Sequence, residues 1–293
     1  MPEGHTIHAL AARLNRTLGG QQVGVSSPQG RFAADAALID GRILDHASAR
    51  GKHLFIDFRD LPDLTLHVHL GLIGSFHVKH GAAASPPTSP ARLRLEGRQH
   101  VAELRGPMIC ALIDEQSRQL VLDKLGPDPL HEPDVLADGA GRAWTRITQS
   151  RKIIAELLLD QSVLAGVGNV YRCEVLFRHR IDPFTPGREL GRRLWAQLWD
   201  DLVTLLPLGA AFSQILTMQD QVDAAAELVA DGSSLAITES LTGERLGDHF
   251  ERRFHTYQRT GERCDRCGRR IREQALGGRT LYWCPGCQRR RKR

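Results

Sequence analysis

The sequence has 293 residues, 41% of them hydrophobic, with a formal net charge of +5. That length suffices for two domains with separate cores, and the apolar share suits a globular chain rather than a disordered or fibrous one. No run of about eighteen apolar residues occurs and the first residues lack the charge and cleavage pattern of a signal peptide, so a cytoplasmic protein with no membrane partner is expected.

The chain opens MPEGHT, with Pro2 directly behind the initiator methionine. Removal of Met1 leaves Pro2 with a free secondary amine, which either does chemistry or is only the loose end of a helix. The residues Ile7, Leu10, Ala11, Leu14 and Leu18 recur at helical spacing, so an amphipathic helix is expected over Thr6 to Leu18. Short apolar runs between glycines and prolines follow, HLFIDF at 53–58 and LTLHVHLGLIGSFHV at 64–78, and read as strands of a sandwich or barrel. The proline-rich stretch 81–91 is expected to be an exposed loop. Two more strand-like segments, ARLRLEG and MICALID, precede GPDPLHEPD at 126–134, where three prolines and a glycine mark a domain boundary.

Beyond that point the pattern becomes helical, with Ile153, Leu157 and Leu158 and then LWAQLWDDLVTLL at 194–206. In LLLDQSVLAGVGNVYRCEVLF at 157–177, Gly166 and Gly168 predict helix, tight turns, helix. Asn169 stands just ahead of the second helix, where it makes either a phosphate site or an ordinary cap. Segment 213–250 is polar in part and is expected to be partly disordered.

Of the six cysteines, Cys264, Cys267, Cys284 and Cys287 form two CxxC pairs, while Cys110 and Cys173 stand alone in apolar surroundings as small core residues. Two CxxC knuckles supply a closed tetrahedral thiolate shell for one structural Zn²⁺, with no open position for water. Gly277 and Gly278 between them suit a hairpin turn that presents Arg279 near its tip, shaped to grip phosphate or enter a groove. The all-cationic tail Arg289 to Arg293 points to a polyanion or is simply solvated.

A secondary amine that attacks an aldehyde-level carbon forms a cationic iminium, an electron sink that needs no further proton. Pro2 is therefore a candidate nucleophile, Glu3 a candidate acid and Lys52, in RGKHLF, a candidate assisting cation. Each has an ordinary structural alternative: a penultimate proline, a first-turn glutamate, a strand-edge lysine.

In order along the chain, PEG at 2–4, RGK at 50–52, LLLDQ and AGVGN within 157–169, and YWCPGCQ at 282–288 resemble the formamidopyrimidine-DNA glycosylase and endonuclease VIII (Nei) family, leaning toward the Nei branch. The resemblance implies an α+β multidomain fold. A β-sandwich-like N-terminal domain with flanking helices (1–125) and a linker (126–146) would precede a helix-two-turns-helix domain (147–259) and a zinc finger with basic tail (260–293). It implies a nucleoid-associated monomer that binds damaged DNA, excises an oxidised base from an extruded nucleotide and cuts the strand by β- and δ-elimination. Pro2 matches the nucleophile, Glu3 the general acid, Lys52 the catalytic lysine, Asn169 and Arg279 the phosphate clamps, and Leu72 with Ile73 the wedge that fills the vacated stack. At Leu72 and Ile73 a plain turn hydrophobe is the alternative.

Departures from the family pattern bear on the substrate. Thr6 stands where a second glutamate is usual, which leaves that carboxylate's role in doubt, though Thr6 could cap the helix. Ala155 stands where the purine-specific branch tends to have lysine, and no arginine and phenylalanine void-filling pair is recognisable in HVAELRGPMICAL at 100–112. Together these favour oxidised pyrimidines over oxidised purines such as 8-oxoguanine. A non-catalytic damage-binding protein is the remaining alternative, and the intact Pro2, Glu3 and Lys52 speak against it.

Overall fold

The computed structural model describes residues 2–80, 90–231 and 249–289. The expected loop at 81–91, the ambiguous stretch from 232 and the cationic tail beyond Arg289 lie largely outside the described residues. Two compact units divide the chain, Met1–Lys124 and Leu125–Arg293.

The first unit begins with helix α1 (Gly4–Leu18), whose apolar stripe of Ile7, Leu10, Leu14 and Leu18 is buried. It starts two residues earlier than the apolar period predicts. Glu3 occupies the cap position, and the Thr6 N–H donates to the Glu3 carbonyl at 3.0 Å. Thr6 is thus inside the first turn and is not the cap. After β1 (Gly24–Ser26) and α2 (Ala33–Ile39) come β2 (Leu44–Arg50), β3 (His53–Phe58), β4 (Leu64–His69), β5 (Ser75–His80), β6 (Ala91–Glu96), β7 (His100–Arg105) and β8 (Ile109–Asp114), then α3 (Glu115–Asp123).

These strands make two antiparallel four-stranded sheets, in order β1-β6-β7-β5 and β2-β3-β4-β8. Alternation turns Leu54, Ile56 and Phe58 of β3 and Leu66 and Val68 of β4 into the same core as Phe76, Val78, Leu93, Leu95 and Leu104 of the other sheet and the α1 stripe. The run 64–78 is divided between the two sheets, as β4 and the start of β5. It changes sheet at a turn over 70–74, where the Gly74 N–H donates to the Leu70 carbonyl at 3.1 Å. A Cβ at Gly74 would lie 2.2 Å from that carbonyl oxygen, so only glycine closes this turn.

The second unit carries α4 (Glu132–Leu136), α5 (Gly139–Thr148), α6 (Ile154–Leu157), α7 (Asn169–Arg178), α8 (Arg192–Phe212), α9 (Gln219–Ala230) and a hairpin of β9 (Arg272–Leu276) and β10 (Arg279–Trp283). Residues 126–146, expected as a linker, hold α4 and most of α5; Pro133 is tolerated in the first turn of α4, where its missing N–H has no helical acceptor to lose. Ala143 and Ile147 of α5 join Leu157, Leu164, Tyr171, Trp195, Leu202 and Leu206 in one core, which also takes in Leu281 of the hairpin. No described helix is long and apolar enough to cross a membrane.

Candidate active site and zinc hairpin

In the first unit, one side chain near the end of α1 ties the helix to strand β2. Asn15 donates from Nδ2 to the Ala47 carbonyl at 2.8 Å and accepts the Ala47 N–H at 2.7 Å, so helix α1 is clamped to the centre of β2. Arg50 pairs with His53 across a two-residue turn, Gly51 and Lys52, which places Lys52 at the end of the hairpin. Pro2 is half-buried, and Glu3 is fully buried at 0% exposure. A carboxylate is favoured at that point by the partial positive charge of the α1 N-terminus.

His5, in the first turn of α1, is buried and its pKa falls to about 3. Burial is the largest cause, and the positive charge of Lys52 acts in the same direction, which puts the lysine within electrostatic reach of the helix start. The structure thus brings the Pro2–Glu3 end of α1 and Lys52 to one edge of the first unit. His5 is an uncharged neighbour of both that sequence reasoning missed, since a lone histidine on an apolar stripe carries no signal of its own.

Leu72 and Ile73 top the sheet-changing turn and are 50% and 89% exposed. Beside them Met108, in the short turn between β7 and β8, is 65% exposed. The Met108 N–H donates to the His69 carbonyl at 2.8 Å, and a Cβ at Gly71 would lie 3.1 Å from that of Met108. Three exposed apolar side chains on adjoining turns form one ridge, of which the sequence reading found two.

In the second unit, α6 is a single turn and the chain from Leu158 to Gly168 is shaped by Gln161. Its Nε2 donates to the Leu159 and Val167 carbonyls, each at 3.0 Å, and its Oε1 accepts the Gly166 N–H at 3.0 Å. Asn169 then opens α7 as a buried residue. Its Oδ1 accepts from the buried Arg172 guanidinium, and its Nδ2 donates to the Thr280 carbonyl at 2.9 Å. That last bond places Asn169 next to the start of β10, so Asn169 and Arg279 are brought together. Nδ2 carries a second hydrogen for an outside acceptor, and Arg172 fixes which way the amide faces.

The hairpin turn is as expected. Gly277 and Gly278 have φ of +59° and +73°, the paired left-handed values of a tight two-residue turn, and Leu276 pairs with Arg279. Arg263, Arg266, Arg269, Arg270 and Arg272 are exposed on the same small module, a concentrated positive field. The four thiols of Cys264, Cys267, Cys284 and Cys287 lie within 4.8 Å of one another. Contacts of 3.8 Å for Cys264–Cys287 and 3.4 Å for Cys267–Cys284 suit the S···S spacing of about 3.8 Å that tetrahedral Zn–S bonds of about 2.3 Å require. The cluster fits one structural zinc. Cys110 and Cys173 stand apart from it, and burial pushes each thiol up to about 12, as for inert core cysteines.

Glu174 ties the module to α7. This buried carboxylate accepts the N–H groups of His255, Thr256 and Tyr257 at 2.7, 2.8 and 3.0 Å and the hydroxyls of Thr256 and Thr217 at 3.0 and 3.1 Å. The sequence reading did not find it.

Comparison with known proteins covers almost the whole chain. Residues 1–106 match the Formamidopyrimidine-DNA glycosylase N-terminal domain, 125–220 the Formamidopyrimidine-DNA glycosylase H2TH domain, and 261–290 the zinc finger found in FPG and IleRS. The chain is 42% identical over 291 residues to Endonuclease 8 1 of Mycobacterium tuberculosis, covering 98% of this chain and all of that one. It is 30% identical over 297 residues to the Formamidopyrimidine-DNA glycosylase of Thermus thermophilus, with 98% of each covered. Among solved structures, the MutM (Fpg) protein of Thermus thermophilus superposes with a TM-score of 0.72 at 27% identity over 98% of both chains. Lactococcus lactis Fpg, bound non-covalently to DNA containing an AP site, superposes with 0.73 at 22% identity over 98% of this chain and all of that one, which speaks for the fold.

Proposed function

The chain belongs to the formamidopyrimidine-DNA glycosylase and endonuclease VIII family of DNA glycosylases with abasic-site lyase activity, and we propose that it removes oxidised pyrimidines from DNA through a covalent intermediate on Pro2. The observation that supports the reading is the buried Glu3 beside Pro2 at the start of α1, with the hairpin-end Lys52 within electrostatic reach of the same helix turn.

With Met1 removed, the lone pair of the Pro2 nitrogen attacks C1′ of the damaged nucleotide. The C1′–base bond breaks, the base leaves with a proton, and opening of the sugar ring gives an iminium between Pro2 and C1′. Glu3 moves protons at the sugar oxygen, and Lys52 supplies positive charge beside the developing anion. The iminium acidifies C2′, so loss of a C2′ proton expels the 3′-phosphate; a second elimination expels the 5′-phosphate. Water then releases the sugar fragment and restores the amine.

Asn169 and Arg279 hold phosphates flanking the lesion, and Leu72 with Ile73 fills the place of the extruded nucleotide. Zinc, held by four thiolates, keeps the hairpin folded and takes no part in bond making. The pyrimidine assignment follows from Ala155 and from the β7–β8 turn, which offers Met108 and no arginine and phenylalanine pair.

The test is borohydride trapping together with base release. Wild type should give a covalent protein–DNA adduct on abasic-site DNA and excise thymine glycol or 5-hydroxycytosine faster than 8-oxoguanine. Pro2→Gly, or a chain that retains Met1, should give little or no adduct. An unreactive wild type removes the catalytic reading, and faster release of 8-oxoguanine reverses the substrate assignment.

A further inference from the structure

The face of the β2-β3-β4-β8 sheet turned away from the core carries a layer of rings that the reaction above does not use. His53 stands opposite His69 across β3 and β4, and Phe55 stands opposite His67. The His53 and His67 rings stack with centroids 5.1 Å apart and Phe55 and His67 at 4.9 Å, while His69 lies tilted against His53 at 4.8 Å. Nδ1 of His53 and Nε2 of His67 are 2.8 Å apart, a hydrogen bond along the diagonal of the strand pair. Phe55 is covered by the guanidinium of Arg118 from α3, 5.2 Å from its ring centre, and His67 is only 3% exposed.

Leucine or phenylalanine would cover such a face at less cost, because buried polar nitrogens need partners. The partners here lead to both ends of the candidate site. His53 follows Lys52 directly. His69 accepts the Gly71 N–H on Nδ1 at 3.1 Å, and Gly71 opens the turn that bears Leu72 and Ile73.

We propose that the hydrogen-bonded pair His53 and His67 is a positioning element that fixes Lys52 and the Leu72–Ile73 turn relative to one another. The inference rests on the roles given to Lys52 and to that turn under the proposed function. The pair needs one imidazole to donate and the other to accept, so it fails when both are protonated, and His69 must keep Nδ1 bare to hold Gly71. Burial, then mutual repulsion and Lys52, lower His53 to about 3; burial and His69 lower His67 to about 4; burial and Lys52 lower His69. The charged groups facing this layer are Arg50 from β2, Lys52 from the turn, Asp57 from β3 and Arg118 from α3, which pairs with Asp57 at 3.4 Å; β8 presents Ile109 and Ala111. At neutral pH all three imidazoles are therefore neutral, and Nδ1 of His69 carries no proton where it accepts the Gly71 N–H.

The test uses full-length protein and duplex DNA with one abasic site, measuring kcat and KM for strand cleavage, with thermal unfolding alongside. His67→Phe keeps the stacked ring and deletes the nitrogen. It should lower kcat about fivefold, the usual worth of one hydrogen bond, with KM within about twofold of wild type. His67→Gln, which returns a polar atom at similar reach, should recover most of the loss. His53→Phe removes the other end of the same bond and should give the same loss, and the double variant should be no worse than either single one.

Wild-type kcat in His67→Phe overturns the proposal, as does equal impairment by Phe and Gln in step with unfolding temperature, or full additivity of the two Phe variants. An inactive wild type would instead remove the glycosylase reading itself.

Discussion

Replacing Glu174 with alanine removes the acceptor of five hydrogen bonds at once. The donors are three consecutive backbone N–H groups, from His255 to Tyr257, and the hydroxyls of Thr256 and Thr217, the two threonines being fully buried. A hydrogen bond to a charged group contributes roughly 1.5–3 kcal/mol, and losses around one acceptor are far from additive because the donors reorganise and water enters. A net cost of about 4 kcal/mol follows, with the three backbone donors, which cannot rotate away, as the main part. For a unit of this size about 1 kcal/mol moves the unfolding midpoint by roughly 2–4 °C, so the shift should be about 8–16 °C.

The assay is calorimetry on the zinc-loaded chain, with DNA affinity measured well below the new midpoint. Glu174→Gln, which keeps one acceptor oxygen but turns an NH₂ toward the same donors, should fall between alanine and wild type. DNA binding should weaken in the alanine variant even where the protein is folded, because the carboxylate fixes the approach to the finger against the helix that begins at Asn169. A midpoint within about 3 °C of wild type would refute the reasoning, since it would mean the five donors find other partners at no cost.

Acid should destabilise the first unit through His5. Its pKa of about 3 in the fold lies below the usual 6.5, so the contribution from keeping it neutral is complete above pH 6.5 and is lost as pH falls toward 3. At pH 5 the loss from this group is about 2 kcal/mol, from 1.36 kcal/mol per unit, and His5→Gln should show a correspondingly smaller drop in denaturant midpoint between pH 7 and pH 5. A strong chelator should release one zinc per chain and abolish most DNA affinity without unfolding the first unit, read by metal analysis and binding. Arg279→Ala should weaken DNA binding and lower the slope of log affinity against log salt by about 0.9, the signature of one lost phosphate contact.

The features legible in the sequence are those whose chemistry is local. Two CxxC pairs can converge whatever surrounds them, and Gly277–Gly278 sets its own backbone. The α1 stripe declares its period, though its first turn, with Glu3 as cap, depends on contacts that the pattern does not contain. Where meaning depends on partners distant in sequence, the reading stops short. Within the run 64–78 apolar alternation does not reveal which sheet a residue joins; the Gly71–Gly74 turn decides that. Segment 213–250 is ambiguous in the sequence, yet within it Val222 and Ala225 are buried in the second core and α9 forms around them. Glu174 carries no signal in the sequence, because its partners, at 217 and 255–257, lie far along the chain. The histidines of HVHLG share a strand face by simple alternation, but their burial comes from α3 and from β3.

The account's central claim is that the amine of Pro2 forms the bond to the sugar. It is tested most directly by reducing the complex on abasic-site DNA, digesting it and locating the sugar remnant by mass spectrometry. The prediction is a single modified peptide that begins at Pro2, lacks Met1 and carries the remnant on its terminal nitrogen. A remnant on Lys52, or on any peptide that still carries Met1, would contradict it.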